Sequence, residues 1–110
     1  MNVLKNFVFF KDASSAGESA ILNNPNRGSI LTVEVSGSGS FTLTMKGIVN
    51  TENVPPVYSN LAAIDMAALA KTETITAPGI YCFGIDGIVG IKAELSNVSG
   101  SVTVFGKTGE

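Results

Sequence analysis

Apolar side chains recur at every second position over most of this chain, and that period constrains it to β-strands. Successive side chains on a strand point to opposite faces, so alternation gives each segment one face for a core and one for water. Leu31, Val33 and Val35 alternate with Thr32 and Glu34, and Phe41, Leu43 and Met45 alternate with Thr42 and Thr44. The stretch IYCFGIDGIVGIKAELSNVSGSVTVFGK, from Ile80 to Lys107, repeats the pattern. Tyr81, Phe83 and Ile85 share a face. Val89, Ile91, Ala93 and Leu95 share the next, opposed by Lys92 and Glu94, and Val102 and Val104 carry a third. Asp86-Gly87 supplies the positive φ angles of a tight two-residue hairpin, and Asn97 to Gly100 reads as a second turn. The spacing therefore predicts a meander of three consecutive antiparallel strands. Ser36 to Ser40 lies between two matched strands and reads as a hairpin loop in preference to a flexible linker.

The pattern loosens after Met45. Asn50 to Asn53, followed by Pro55-Pro56, reads as a surface loop, because consecutive prolines cannot join a central ladder. Thr72 to Thr76 reads as a short strand closed by Pro78-Gly79. Between Tyr58 and Lys71, Leu61, Ile64, Ala68 and Leu69 fall on one helical stripe. A strand followed by a short turn fits as well, and the all-β surroundings favour it. Strands of about five to nine residues separated by Gly, Pro, Asn and Ser indicate an antiparallel sandwich or barrel. A length of 110 residues predicts a single domain, residues 1–110. A fold of this size buries roughly two-thirds of its unfolded surface, enough for a core without metals or disulfides.

Charged residues make up 15% of the chain, below the roughly 25% usual in soluble proteins. Assembly against another surface and a plain β-rich composition both account for that. Lys5, Lys11, Arg27, Lys46, Lys71, Lys92 and Lys107 are scattered, which argues against nucleic acid as a partner. No run of about 18 apolar residues offers a membrane span. The apolar run Phe7 to Phe10 is shorter than the roughly 7 residues a secretory signal needs, so the expectation is a leaderless, cytoplasmically made chain. The single cysteine, Cys82, reads as a small packed hydrophobe, and the chain has no histidine to activate it as a nucleophile.

The same lack of histidine removes serine and cysteine triads and the usual zinc ligands. No catalytic, cofactor-binding or metal-ligating residue is expected. Gly84, Gly87 and Gly90 space like a nucleotide loop, but a strand follows them and no Lys-Ser/Thr is present. A carboxylate pair is the remaining enzymatic option. Asp65, in an apolar setting, is the one unusual acid, and a turn or capping role explains it better. Sugar platforms use flat aromatic rings, and here only Tyr58, beside the proline loop, is placed to serve. Asn97-Val98-Ser99 matters as a glycosylation site only in a eukaryotic secretory protein.

Phe7, Val8, Phe9 and Phe10 depart from the general pattern. Strict alternation puts Phe7 and Phe9 on one face and Val8 and Phe10 on the other, so both faces are apolar and both need covering. Either a loop of the same chain lies over the strand or the four residues form a subunit interface.

The segment from Thr74 to Lys107 resembles small bacteriophage virion proteins, in which an I-t-x-x-G-x-Y strand leads through a v-x-G hairpin and an alternating strand to S-G-x-V-T-V. Ile75, Gly79, Tyr81, Gly87, Ser99, Gly100, Val102, Thr103 and Val104 carry the match. The resemblance implies a jelly-roll-like β-sandwich that decorates capsids or builds neck, tail or fibre parts, often as a trimer. It implies the major capsid protein or another virion protein as partner and a place in the virion, and Phe7, Val8, Phe9 and Phe10, through their two apolar faces, are the expected contact residues. A tail or fibre module that binds a host glycan through Tyr58 is the alternative.

Overall fold

In the computed structural model, which describes residues 3–24, 28–49, 52 and 55–109, the alternating segments form strands throughout. In chain order these are β1 (Val3–Ala13), β2 (Gly17–Glu18), β3 (Leu22–Asn23), β4 (Ile30–Ile48), β5 (Ser59–Leu61), β6 (Ala63–Asp65), β7 (Ala70–Thr72), β8 (Gly79–Gly84) and β9 (Gly90–Gly109). Two of them dominate. β4 has 19 residues and β9 has 20, and they pair antiparallel from Ile30↔Gly109 to Ile48↔Gly90.

This ribbon bends at its middle, where Ser36 to Ser40 faces Ser99 to Thr103 across the ladder. The register breaks between Ser40 and Thr42. Gly39 and Gly100 take φ angles of 78° and 116°, a region that L side chains rarely adopt. A Cβ on Gly39 would overlap the Ser99 carbonyl oxygen, and one on Gly100 would overlap that of Ser38. The Ser40 amide donates to Ser99 Oγ at 3.0 Å, and the two serine hydroxyls are 2.9 Å apart. Two expectations are therefore corrected. Ser36 to Ser40 is not a hairpin loop, and Asn97 to Gly100 is not a turn between two strands. The residues that permit a reversal also permit a sharp bend within continuous strands, and each segment finds its partner in the other.

The bend makes two arms. The first runs through the amino-terminal half of β4 and the carboxy-terminal half of β9, in the order β1-β9-β4-β8-β6-β7. The second uses the other halves, with β2 and β3 paired to β9, β5 paired to β4, and Ile75 bridging Leu43. Leu31, Val33, Val35, Val102 and Val104 from the first arm share a core with Phe41, Leu43, Met45, Ile91, Ala93 and Leu95 from the second. Phe9, Leu22, Ala63, Ile75, Tyr81, Phe83 and Ile85 complete it. Each fully buried aliphatic side chain stabilises this arrangement by about 1.5–3 kcal/mol. The result is an open, all-antiparallel sandwich.

The turn at Asp86-Gly87 forms, with φ of 86° at Gly87 and the Ile88 amide donating to the Ile85 carbonyl at 2.9 Å. It does not join a hairpin, because β8 lies against β4 and β6 while β9 runs on the other side of β4. The predicted meander is thus corrected as well. A positive-φ turn reverses the chain locally, but it does not choose the strand's partner. Residues 58–71 form strand, turn and strand, as the surroundings favour. β7 stops at Thr72, and Ile75 makes only an isolated bridge. Asn50, Thr51 and Asn53 of the expected loop lie outside the described residues, and Pro55 and Pro56 are exposed outside any strand. Among the described residues no helix is long and apolar enough to cross a membrane.

Candidate interaction surface

Strand β1 is the edge of the first arm, and its register shifts twice after Phe7. Val8 pairs with Phe105 and Phe10 with Val104, so an extra residue, Phe9, is inserted there. The bulge resets the alternation. Phe9 is buried, and Phe7 and Phe10 are partly buried against the core. The Phe7 and Phe9 rings meet edge to face, with centroids 4.8 Å apart. Gly106 makes room for this packing, since a Cβ there would lie 2.9 Å from Phe9 Cε2. Strict alternation fails here for that reason. Of the four residues, only Val8 is largely solvent-facing, with 49% of its surface exposed.

Val8 belongs to a larger apolar face. The register places Val8, Phe105, Glu34 and Ile80 in one row across the first arm's outer side. Lys107, Thr32, Cys82 and Ile64 form the adjacent row. Ile80 and Ile64 are 47% and 44% exposed. Thr32, Glu34, Ile80, Phe105 and Lys107 line a shallow depression of about 330 Å³. Cys82 is half-buried, with its sulfur 3.6 Å from the Thr32 hydroxyl. Reasoning from sequence overlooked Ile64, Ile80 and Phe105, although Ile80-Tyr81-Cys82-Phe83 is apolar on both faces just as Phe7 to Phe10 is.

The second arm's outer side differs. Lys46 and Lys92 stand opposite each other in the ladder, and each meets a carboxylate. Lys46 Nζ lies 2.9 Å from Glu94 Oε1, and Lys92 Nζ lies 3.2 Å from Glu18 Oε1. Lys92 also sits over the Tyr58 ring, 4.5 Å from its centroid. A cation therefore occupies one face of the ring on which the alternative, glycan-binding reading relies.

Asp65 and Tyr81 serve the fold. Asp65 Oδ1 accepts from the amides of Ala67 and Ala68 at 2.9 and 3.3 Å, capping the turn between β6 and β7 as its setting predicts. The buried Tyr81 hydroxyl donates to the Ala77 carbonyl at 2.7 Å. Burial, with a smaller contribution from the Asp65 carboxylate, pushes the Tyr81 phenol above its ordinary pKa. Among the described residues no group of three or more His, Cys, Asp or Glu side chains is arranged to hold a metal.

Two crystal structures share this fold. The SPBc2 prophage-derived protein YomS superposes with a TM-score of 0.84 at 22% identity, covering 96% of this chain and 92% of YomS. The PBSX exported protein XepA superposes with a TM-score of 0.87 at 21% identity, covering 96% of this chain and 37% of XepA. This chain therefore matches YomS over nearly its whole length and XepA over little more than a third. No protein-family model and no curated protein sequence matches the chain.

Proposed function

We propose that the protein is a structural component of a bacteriophage particle, specifically a capsid decoration protein, and that it acts by binding and not by catalysis. The observation that carries this reading is the fold shared over nearly full length with a prophage-derived protein. The exposed apolar face of the first arm fits the same role. It offers a contact surface, and each square ångström of apolar area removed from water there contributes on the order of 25 cal/mol. Val8 supplies β1's direct contact, while Phe7, Phe9 and Phe10 hold the strand in place. Self-association is part of the reading, and three copies is the number that the family resemblance implies.

Gold-labelled antibody against the protein, applied to particles produced from the genome that encodes it, tests the proposal. Label on heads is the expected result. Label confined to tails or fibres would transfer the protein to the host-recognition alternative, and unlabelled particles would overturn the virion role. The glycan reading gains nothing from Tyr58, whose ring is already engaged by Lys92.

A further inference from the structure

We infer that the turn between β6 and β7 docks into an apolar groove on the second arm of a neighbouring copy, with Leu69 as the inserted side chain, and that this contact repeats around a ring. The inference deepens the self-association in the proposed function and rests on that reading for the number of copies.

The turn runs from Met66 to Leu69. Tight turns usually carry Gly, Asn, Asp or Ser at their tips. Here Met66, Ala67, Ala68, Leu69 and the following Ala70 are all apolar and all exposed. Leu69 has a φ of 54°, in the left-handed region that Gly and Asn adopt readily and leucine does not. At 75% it is also the most exposed large apolar side chain among the described residues. In a lone chain this residue is doubly unfavourable, strained in its backbone and solvated in its side chain. A partner that covers it accounts for both. The turn is held firmly, because Asp65 Oδ1 caps the Ala67 and Ala68 amides and the Leu69 amide donates to the Asp65 carbonyl at 2.7 Å. The Met66 amide donates to the Ile80 carbonyl at 3.0 Å. A projection fixed in advance loses little freedom on docking.

The next most exposed large apolar residues identify the occupant's site. Val49 and Val57 are 67% and 63% exposed, and both line one groove of about 380 Å³ on the second arm. Ile48, Leu61 and Ile88 line it too, and Ser59 brings the one polar side chain among the described lining residues. Leu61 and Ile88 rest on the core, and Gly47 lets them close together, since a Cβ there would lie 3.1 Å from one and 3.0 Å from the other. Within one chain Leu69 does not enter this groove, so projection and recess both stay open to water. Between copies each satisfies the other. Such a contact joins two unlike patches, and unlike patches build rings when the rotation between copies closes. Three copies is the ring that the proposed function implies. The contact uses none of Val8, Phe105 and Ile80, which remain for the virion partner.

Sedimentation velocity and a paired-cysteine cross-link test the inference on the purified protein. The chain of 11.3 kDa should sediment as three or more copies. Leu69→Asn suits the left-handed backbone and removes the apolar side chain. It should leave the denaturation midpoint unchanged or higher, yet weaken assembly by at least about tenfold per contact. Val57→Glu should weaken assembly as much from the groove side. In a Cys82→Ser background, Leu69→Cys/Val57→Cys should oxidise to chains linked up to the full copy number, whereas either cysteine alone should give no such ladder. The inference is overturned by a single chain or a pair at all concentrations, by assembly indifferent to Leu69→Asn, or by an assembled double-cysteine variant that does not cross-link. Its failure is distinct from that of the virion role. A ring with unlabelled particles removes only the virion role, and labelled heads with a single-chain protein remove only this inference.

Discussion

The two arms are built from the same two strands, yet their outward charges are handled differently. Along β4 and β9 the inward residues are equivalent: Leu31 and Leu43 are both fully buried, as are Val104 and Ala93. The outward residues are not. On the second arm the lysines are neutralised by Glu94 and Glu18, and Lys92 covers Tyr58. On the first arm the outward residues are Val8, Phe105, Ile80 and Ile64, with Glu34 and Lys107 unmatched among the described residues. One ribbon can therefore carry an arm with paired outward charges and an arm with an exposed apolar face, because alternation leaves each outer face free to be chosen separately from the core.

If the interior is truly shared, truncating it should cost the same on either side. Leu31→Ala and Leu43→Ala, one from each arm, should each destabilise the fold by about 3 kcal/mol in chemical denaturation. A difference above about 1.5 kcal/mol would show that one arm holds the core alone. The bend that divides the arms comes next. Gly39→Ala imposes a side chain at φ of 78° against the Ser99 backbone and should cost about 2 kcal/mol. Little change in the denaturation midpoint would mean that the ribbon tolerates a different corner.

The outer faces should respond unequally and more weakly. Lys92→Ala removes an ion pair and a cation–π contact, an expected loss of about 1 kcal/mol that shrinks in high salt. Lys107→Ala should change monomer stability by less than about 0.5 kcal/mol. Equal losses would erase the contrast between the faces. The smallest effect concerns alkaline pH. Because the folded Tyr81 phenol titrates above its unfolded value of about 10, its contribution is complete below that pH and declines as pH rises toward the folded value. Tyr81→Phe loses the hydrogen bond to Ala77 but should show a shallower fall in denaturation midpoint between about pH 9 and about pH 11. A parallel fall in both proteins would assign the alkaline loss to other groups.

Much of the core was legible before any coordinates. Leu31, Val33, Val35, Phe41, Leu43, Met45, Tyr81, Phe83, Ile91, Ala93, Leu95, Val102 and Val104 alternate in the sequence and are buried in the fold. The connections between them were not. Gly37, Gly39 and Gly100 look the same whether a chain reverses or bends, and the difference is decided by a partner segment some sixty residues away. The exposed apolar face was half visible. Phe7 to Phe10 attracted attention through doubled hydrophobicity, but the bulge that turns Phe10 inward beside Phe9 depends on the register against β9, and the room for Phe9 depends on the gap at Gly106. The unmatched state of Glu34 and Lys107 depends on where every other charge lands, which no local pattern records.

The long ribbon has a consequence for how the chain reaches this state. β4 and β9 are not joined by a turn, and even their nearest pair, Ile48↔Gly90, is separated by all of β5 to β8. Such a pair cannot zip from a tight loop as a hairpin does. Its first contacts must close a long segment of chain before any ladder energy is gained, which places the protein among slow, topology-limited folders. Until that closure both halves of the future core remain open to solvent and to neighbouring chains.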